Sequence, residues 1–129
     1  TDYGYLTNLP DLNFIPATAL ITRVVSHPYD NLFTIDLGYK GIASDPAGLR
    51  GVIVGLEIEA SPLFQSEEHW VFKMNEGYEK CLPNIGDVLY VIPTHICPTS
   101  ALYPEALVSQ DGKIIDYWQV TARNRKITI

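Results

Sequence analysis

Asp87-Val88-Leu89-Tyr90-Val91-Ile92-Pro93 alternates without a break: Val88, Tyr90 and Ile92 lie on one side of an extended chain, and Asp87, Leu89 and Val91 on the other. A period of two residues marks a half-buried strand, and no apolar stripe at helical spacing competes with it. Val52, Val54, Leu56 and Ile58 alternate in the same way with Ile53, Gly55, Glu57 and Glu59, and Phe33, Ile35 and Leu37 face away from Thr34 and Asp36. Further strands are expected from Ala17 to Ser26, Phe64 to Phe72, Glu105 to Ser109 and Lys113 to Thr121. About seven strands at this spacing predict an all-β domain, either a single β-barrel or a sandwich.

Turn residues support that division. Asp111-Gly112 suits a two-residue hairpin, whose central positions both need positive φ. His27-Pro28-Tyr29-Asp30-Asn31, Asp45-Pro46-Ala47-Gly48 and Pro83-Asn84-Ile85-Gly86 punctuate the rest. Residues 1–16 contain Pro10 and Pro16 and little periodicity, so an irregular lead-in that lies against something else is expected ahead of a β-domain over 17–129. The start at Thr1, without an initiator Met, suggests a piece of a longer protein.

At 129 residues the chain is long enough to bury one core without disulfide staples, and an apolar share of 47% with 19% charged residues separates it from disordered sequences. A net charge of -6, with Arg123, Arg125 and Lys126 as the only basic cluster, argues against a nucleic-acid partner. No apolar run approaches the roughly 20 residues of a membrane span, and Thr1-Asp2-Tyr3-Gly4-Tyr5 lacks a signal pattern. No membrane partner and a cytoplasmic, soluble protein are therefore expected. The two cysteines, Cys81 and Cys97, allow a disulfide but do not indicate one.

Immediately past the opening strand comes Thr94-His95-Ile96-Cys97-Pro98-Thr99. Pro98 disfavours the helical region for Cys97, so an extended backbone is expected, with His95 and Cys97 facing the same way. Imidazole and thiolate are both good zinc ligands, and two of them leave coordination positions for water or substrate. The competing reading is a small buried cysteine beside an unrelated histidine.

Two further stretches carry possible chemistry. Ser66-Glu67-Glu68-His69 sits on an expected strand, where Glu67 and His69 share a face; there the carboxylate can orient the ring, or both can belong to a solvated edge. Asp36-Leu37-Gly38-Tyr39-Lys40-Gly41 ends a strand with glycines that permit close approach of another group. Lys40 is then placed to meet an anion, although a tight structural turn explains the glycines equally well. Trp70 and Trp118 read as core or interface aromatics.

Taken in order, these segments resemble the C-terminal β-domain of the D-serine dehydratase and D-threonine aldolase family, pyridoxal-phosphate enzymes of the alanine-racemase-like fold type III. Arg23-Val24-Val25-Ser26-His27-Pro28 resembles the family's opening strand, Asp36 to Gly41 its Asp-Ala-Gly-x-Lys-Ala segment, and Ser66 to His69 its Ser-Glu-Glu-His. Pro83 to Asp87 is similar to the turn before the metal strand, and His95 to Thr99 to the His-x-Cys/Asp-x-Thr metal motif. The resemblance implies that His95 and Cys97 bind zinc or manganese beside the pyridoxal ring, where the metal takes the substrate's β-hydroxyl. It implies a D-amino acid substrate of the D-serine or D-threonine type, and beside the metal pair Glu67 and His69 are secondary catalytic candidates, either orienting a ligand or moving a proton. Cysteine at position 97 looks more like the dehydratase branch.

Two residues depart from the family pattern. Ser100-Ala101 stands where a Val-Asn pair is usual, and Trp70 where a Gly commonly follows Glu-Glu-His. The resemblance also implies a partner, an N-terminal pyridoxal-phosphate barrel of the same protein, within a homodimeric enzyme. That barrel is absent from this chain, and none of Lys40, Lys73, Lys80, Lys113 and Lys126 looks like a Schiff-base lysine. This fragment alone is accordingly expected to bind no pyridoxal phosphate and to have no lyase activity. The alternative is a stand-alone, non-catalytic metal- or ligand-binding β-module.

Overall fold

The computed structural model describes residues 1–45, 47–124 and 126–127. Its strands are β1 (Leu20–Ser26), β2 (Leu32–Ile35), β3 (Gly51–Ile53), β4 (Ala60–Gln65), β5 (Trp70–Met74), β6 (Val88–Pro93), β7 (Glu105–Gln110) and β8 (Lys113–Gln119). Six of them make one antiparallel sheet in the order β3-β6-β1-β2-β5-β4, while β7 and β8 form a separate ribbon. The all-β expectation holds, with eight strands among the described residues instead of about seven. The extra strand arises where one strand was expected from Phe64 to Phe72: a turn at Ser66–His69 cuts that run into β4 and β5, which pair as a hairpin.

β1 is shared between the two halves of the sheet. Leu20 to Arg23 pair with β6, and Val24 and Ser26 pair with β2 across a register irregularity between them. Its burial alternates as a period of two requires, with Leu20, Thr22 and Val24 inward and Ile21, Arg23 and Val25 outward. Val24, Phe33, Ile35, Ile42, Ile53, Trp70, Phe72, Met74 and Val91 form the core. Phe72 stacks on Phe33 at 5.5 Å between ring centroids and tilts against Trp70 at 4.7 Å. Trp70 is thus a core residue. On β6 the inward side is Leu89, Val91 and Pro93, which leaves Val88 and Tyr90 exposed opposite Arg23 and Ile21.

The expected β3 run to Ile58 stops at Ile53, because Val54-Gly55 turns the chain with Gly55 at a φ of 81°. The lead-in over 1–16 contains a helix, α1 (Tyr3–Asn8), N-capped by the Asp2 carboxylate. A second short helix, α2 (Ile96–Ser100), follows β6. Among the described residues no helix is long and apolar enough to cross a membrane.

Asp36 closes the β1–β2 junction. Its Oδ1 accepts from the Thr22 hydroxyl at 2.6 Å and from the Arg23 N–H at 2.7 Å. Burial pushes this carboxyl up, but the Thr22 hydroxyl, backbone N–H groups and the Arg23 charge outweigh it, and the net shift is below the ordinary 3.8. A depressed acid stabilises the fold at pH values above its unfolded pKa, and the contribution disappears as pH falls through the folded value. Asp36→Asn is therefore expected to lower stability at pH 7 by about 1 kcal/mol, a figure reduced for solvent screening. Denaturant melts should show this gap closing below pH 3.8; a gap that persists at pH 2 would contradict the assignment.

Candidate metal centre

Ser66-Glu67-Glu68-His69 is a hairpin turn and not the strand expected from sequence, so Glu67 and His69 share no strand face. The turn closes with Ser66 N–H donating to the His69 carbonyl at 2.8 Å. Against its backbone lies the loop after β2: Tyr39 N–H donates to Ser66 O at 2.9 Å and Lys40 N–H to Glu67 O at 3.1 Å. A side chain at position 38 would run into the Glu67 carbonyl and the Glu68 amide, which is why glycine occupies it. Both readings of the segment hold: the backbone of another turn approaches Gly38 closely, and Gly38 O accepts from the Gly41 and Ile42 amides at 2.9 and 3.1 Å to close a tight turn of its own.

Lys40 does meet an anion, the chain's own Glu68 at 2.7 Å, with Glu67 farther off at 3.7 Å. The hydrogen bond and charge of Glu68, followed by the charge of Glu67, raise the lysine's pKa. All three side chains are well exposed, so the pairs contribute little to stability. His69 is also exposed, and its ring makes no hydrogen bond among the described residues.

His95 and Cys97 do not lie on an extended segment. His95 is the N-cap residue of α2, with φ −132° and ψ 103°, and Cys97 lies in the first helical turn. Cys97 is helical despite the steric bias that a following proline imposes, and Pro98 itself costs the helix no hydrogen bond, because as the third helical residue it would have no intrahelical acceptor. The common strand face expected for the two donors is therefore replaced by a helix start. His95 is half-buried and borders a shallow, mainly apolar cleft lined by Asp2, Gly4, Tyr5, Asn8, Leu9 and Thr94, whereas Cys97 is exposed and outside that lining.

The backbone around this pair is held from several directions. Thr94 N–H donates to Arg50 O at 2.8 Å, and Arg50 itself reaches the Gln65 side-chain oxygen on β4. The Asp2 carboxylate accepts from Ile96 N–H at 2.8 Å. Thr99 hydroxyl donates to the His95 carbonyl at 2.8 Å and accepts from Ala43 N–H at 3.2 Å. Beyond α2, Tyr103 hydroxyl donates to Gly41 O at 2.7 Å, and burial raises its pKa. The loop over 38–43 thus touches the hairpin turn on one side and the α2 segment on the other, uniting motifs far apart in sequence.

The imidazole of His95 and the thiol of Cys97 make no hydrogen bond among the described residues, and the His95 side chain does not cap its own helix. One nitrogen and one sulfur, both uncommitted and carried on a pinned backbone, match the donor chemistry of zinc. No group of three or more His, Cys, Asp and Glu side chains among the described residues is placed to hold an ion. Sequence reasoning missed Asp2, Arg50 and Tyr103. Only Asp2 left a local trace, as an acceptor residue one position before a helix.

The fold is that of a β-domain found within larger enzymes. D-threonine aldolase from Filomicrobium marinum superposes with a TM-score of 0.82 at 22% identity, over 95% of this chain and 33% of its own. D-threo-3-hydroxyaspartate dehydratase from Delftia sp. HT23 matches with a TM-score of 0.61 at 18% identity, over 78% of this chain and 31% of its own. In sequence, D-threonine aldolase of Arthrobacter sp. is 29% identical over 124 residues, 95% of this chain and 31% of that protein. Residues 17–109 match the family described as "Putative serine dehydratase domain", and the chain belongs to that family. It spans about a third of the length of these relatives, 31% to 33%.

Proposed function

We propose that this domain supplies the metal-binding part of the active site of a pyridoxal-phosphate-dependent lyase acting on D-3-hydroxy amino acids, as a dehydratase or an aldolase. The observation that carries the reading is the pair of uncommitted donors, His95 and Cys97, on a backbone held at the Thr94 carbonyl and at the His95–Ile96 peptide. The substrate class follows the relatives, which are named for D-threonine and D-threo-3-hydroxyaspartate. A variant of the hydroxyaspartate dehydratase is described in a metal-free form, which supports a metal in that relative.

In this reading His95 nitrogen and Cys97 sulfur hold zinc or manganese, and the remaining ligands come from solvent, substrate or a partner barrel of the same longer protein. When bound, the metal is a Lewis acid toward the substrate's β-hydroxyl, and the pyridoxal phosphate held by the barrel withdraws electrons from the α-carbon. The chain's own residues bind and orient. Thr99 and Asp2 hold the carbonyl and the N–H of the one peptide group between His95 and Ile96, and Gly4 N–H holds the Thr94 carbonyl ahead of it, so the backbone carrying the two donors is fixed. His69, exposed and uncommitted through its ring, is the better of the two secondary candidates for carrying a proton, since Glu67 pairs with Lys40 at 3.7 Å.

Cobalt titration of the 129-residue chain tests the reading. Wild type is expected to bind weakly, since two protein donors are fewer than a closed site uses, and to give a thiolate-to-cobalt charge-transfer band. Cys97→Ser should lose the band, and His95→Ala should weaken binding at least about tenfold. Equal binding by all three proteins would remove the site.

A further inference from the structure

We infer that Asp2 is a positioning residue for the His95–Cys97 donor pair: its one carboxylate caps two helices at once, and thereby leaves the imidazole of His95 free to act as a ligand. The inference rests on the metal reading above and adds to it a residue 94 positions away in sequence from the amide it holds.

The N-terminus of a helix leaves its first N–H groups without partners, and the residue at the N-cap normally satisfies one of them with its own side chain. In α2 that residue is His95, and its side chain makes no such bond. The missing acceptor comes from elsewhere. Asp2 Oδ2 accepts the Ile96 N–H at 2.8 Å, while Oδ1 accepts the Tyr5 N–H of α1 at 2.9 Å. The side chain is almost wholly removed from solvent, at 1% exposure, so both bonds are made away from competing water. Gly4 N–H adds a third tie to the Thr94 carbonyl at 3.0 Å. Gly4 has no room for a side chain there, since an added Cβ would lie 2.5 Å from that same carbonyl.

The geometry assigns a division of labour. A histidine that capped its own helix would spend a ring nitrogen on an amide and hold a rotamer set by the helix. With Asp2 taking the Ile96 amide and Thr99 bonding the His95 carbonyl, the His95–Ile96 peptide is held at both its polar ends, Gly4 holds the Thr94 carbonyl before it, and the ring is left free. Groups that orient ligands without touching the metal commonly change its affinity by 10- to 100-fold, which sets the scale of the expected effect.

Asp2→Asn separates the two bonds. Its single carbonyl oxygen can keep the α1 cap, while the amide –NH2 faces the Ile96 N–H and cannot accept from it. With cobalt as the probe, Asp2→Asn is expected to bind about 10- to 100-fold more weakly than wild type, yet to reach the same thiolate band at saturation, because both ligands are intact. In the metal-free chain, hydrogen exchange at the Ile96 amide should accelerate at least tenfold while the Tyr5 amide keeps its protection. Should that variant fail to fold, Asp2→Ser retains a good N-cap for α1 and is too short to reach Ile96, and the same readouts apply. Unchanged cobalt affinity in the Asp2 variants, alongside weakened His95→Ala and Cys97→Ser, would overturn the role of Asp2 and leave the metal reading standing. An Ile96 amide that exchanges equally fast in wild type would overturn it too. Absence of cobalt binding by wild type would overturn both.

Discussion

Gly38→Ala is expected to cost more than about 4 kcal/mol, a large part of the roughly 5–15 kcal/mol that usually holds a domain folded. The alanine methyl would enter the space of the Glu67 carbonyl group and the Glu68 amide nitrogen, which are backbone atoms and cannot rotate away. Nor can the turn retreat as a whole, because Ser66 and Glu67 carbonyls accept from Tyr39 and Lys40, and Ser66 N–H is bonded to His69. Gly77 makes a useful control. It has a positive φ of 87° and open space around its missing Cβ, so alanine there meets only backbone strain, of about 1 kcal/mol. Urea melts of the two variants settle the matter. If Gly38→Ala is no less stable than Gly77→Ala, the loop over 38–40 does not pack on the hairpin turn.

In a longer protein carrying this domain, Cys97→Ser and His95→Ala are each expected to lower kcat/KM for D-serine or D-threonine by about a hundredfold or more. A Lewis acid acting on a reacting oxygen contributes several kcal/mol to the transition state, and that contribution goes with the ligand. Bound pyridoxal phosphate should keep its visible absorbance in both variants, since neither residue is proposed to touch it. Chelation should reproduce the defect in the wild type, and zinc or manganese should reverse it there but not in Cys97→Ser. Full activity in chelator, or a preference for L-serine or L-threonine over their D-forms, would defeat the metal reading whatever the fold.

The strands were legible where burial alternates. β1 and β6 follow their two-residue pattern, and the Asp111-Gly112 turn joins β7 to β8, with both residues at positive φ. The hairpin at Ser66–His69 was not, because the apolar residues on both sides make one continuous β-rich run from Phe64 to Phe72; the signal available was the charged pair interrupting it. Around His95 the rule that a residue before proline avoids helical angles gave way to a stronger local fact. Proline is tolerated in a first helical turn, and Asp2 provides that turn with an acceptor. Residue types in the motif disclosed the donors, but their backbone depended on a contact between residues 94 positions apart, which no local window contains.

That contact also decides where the chain enters the domain. Asp2 is bonded to Ile96, so Thr1 lies within a few residues' span of His95. Any polypeptide joined ahead of Thr1 would therefore begin within a few residues' span of His95. A short tether of this kind confines what it carries to an effective concentration of order millimolar at its anchor. A cofactor-bearing partner attached there would need little affinity of its own for the β-domain, because the covalent link would supply the encounter.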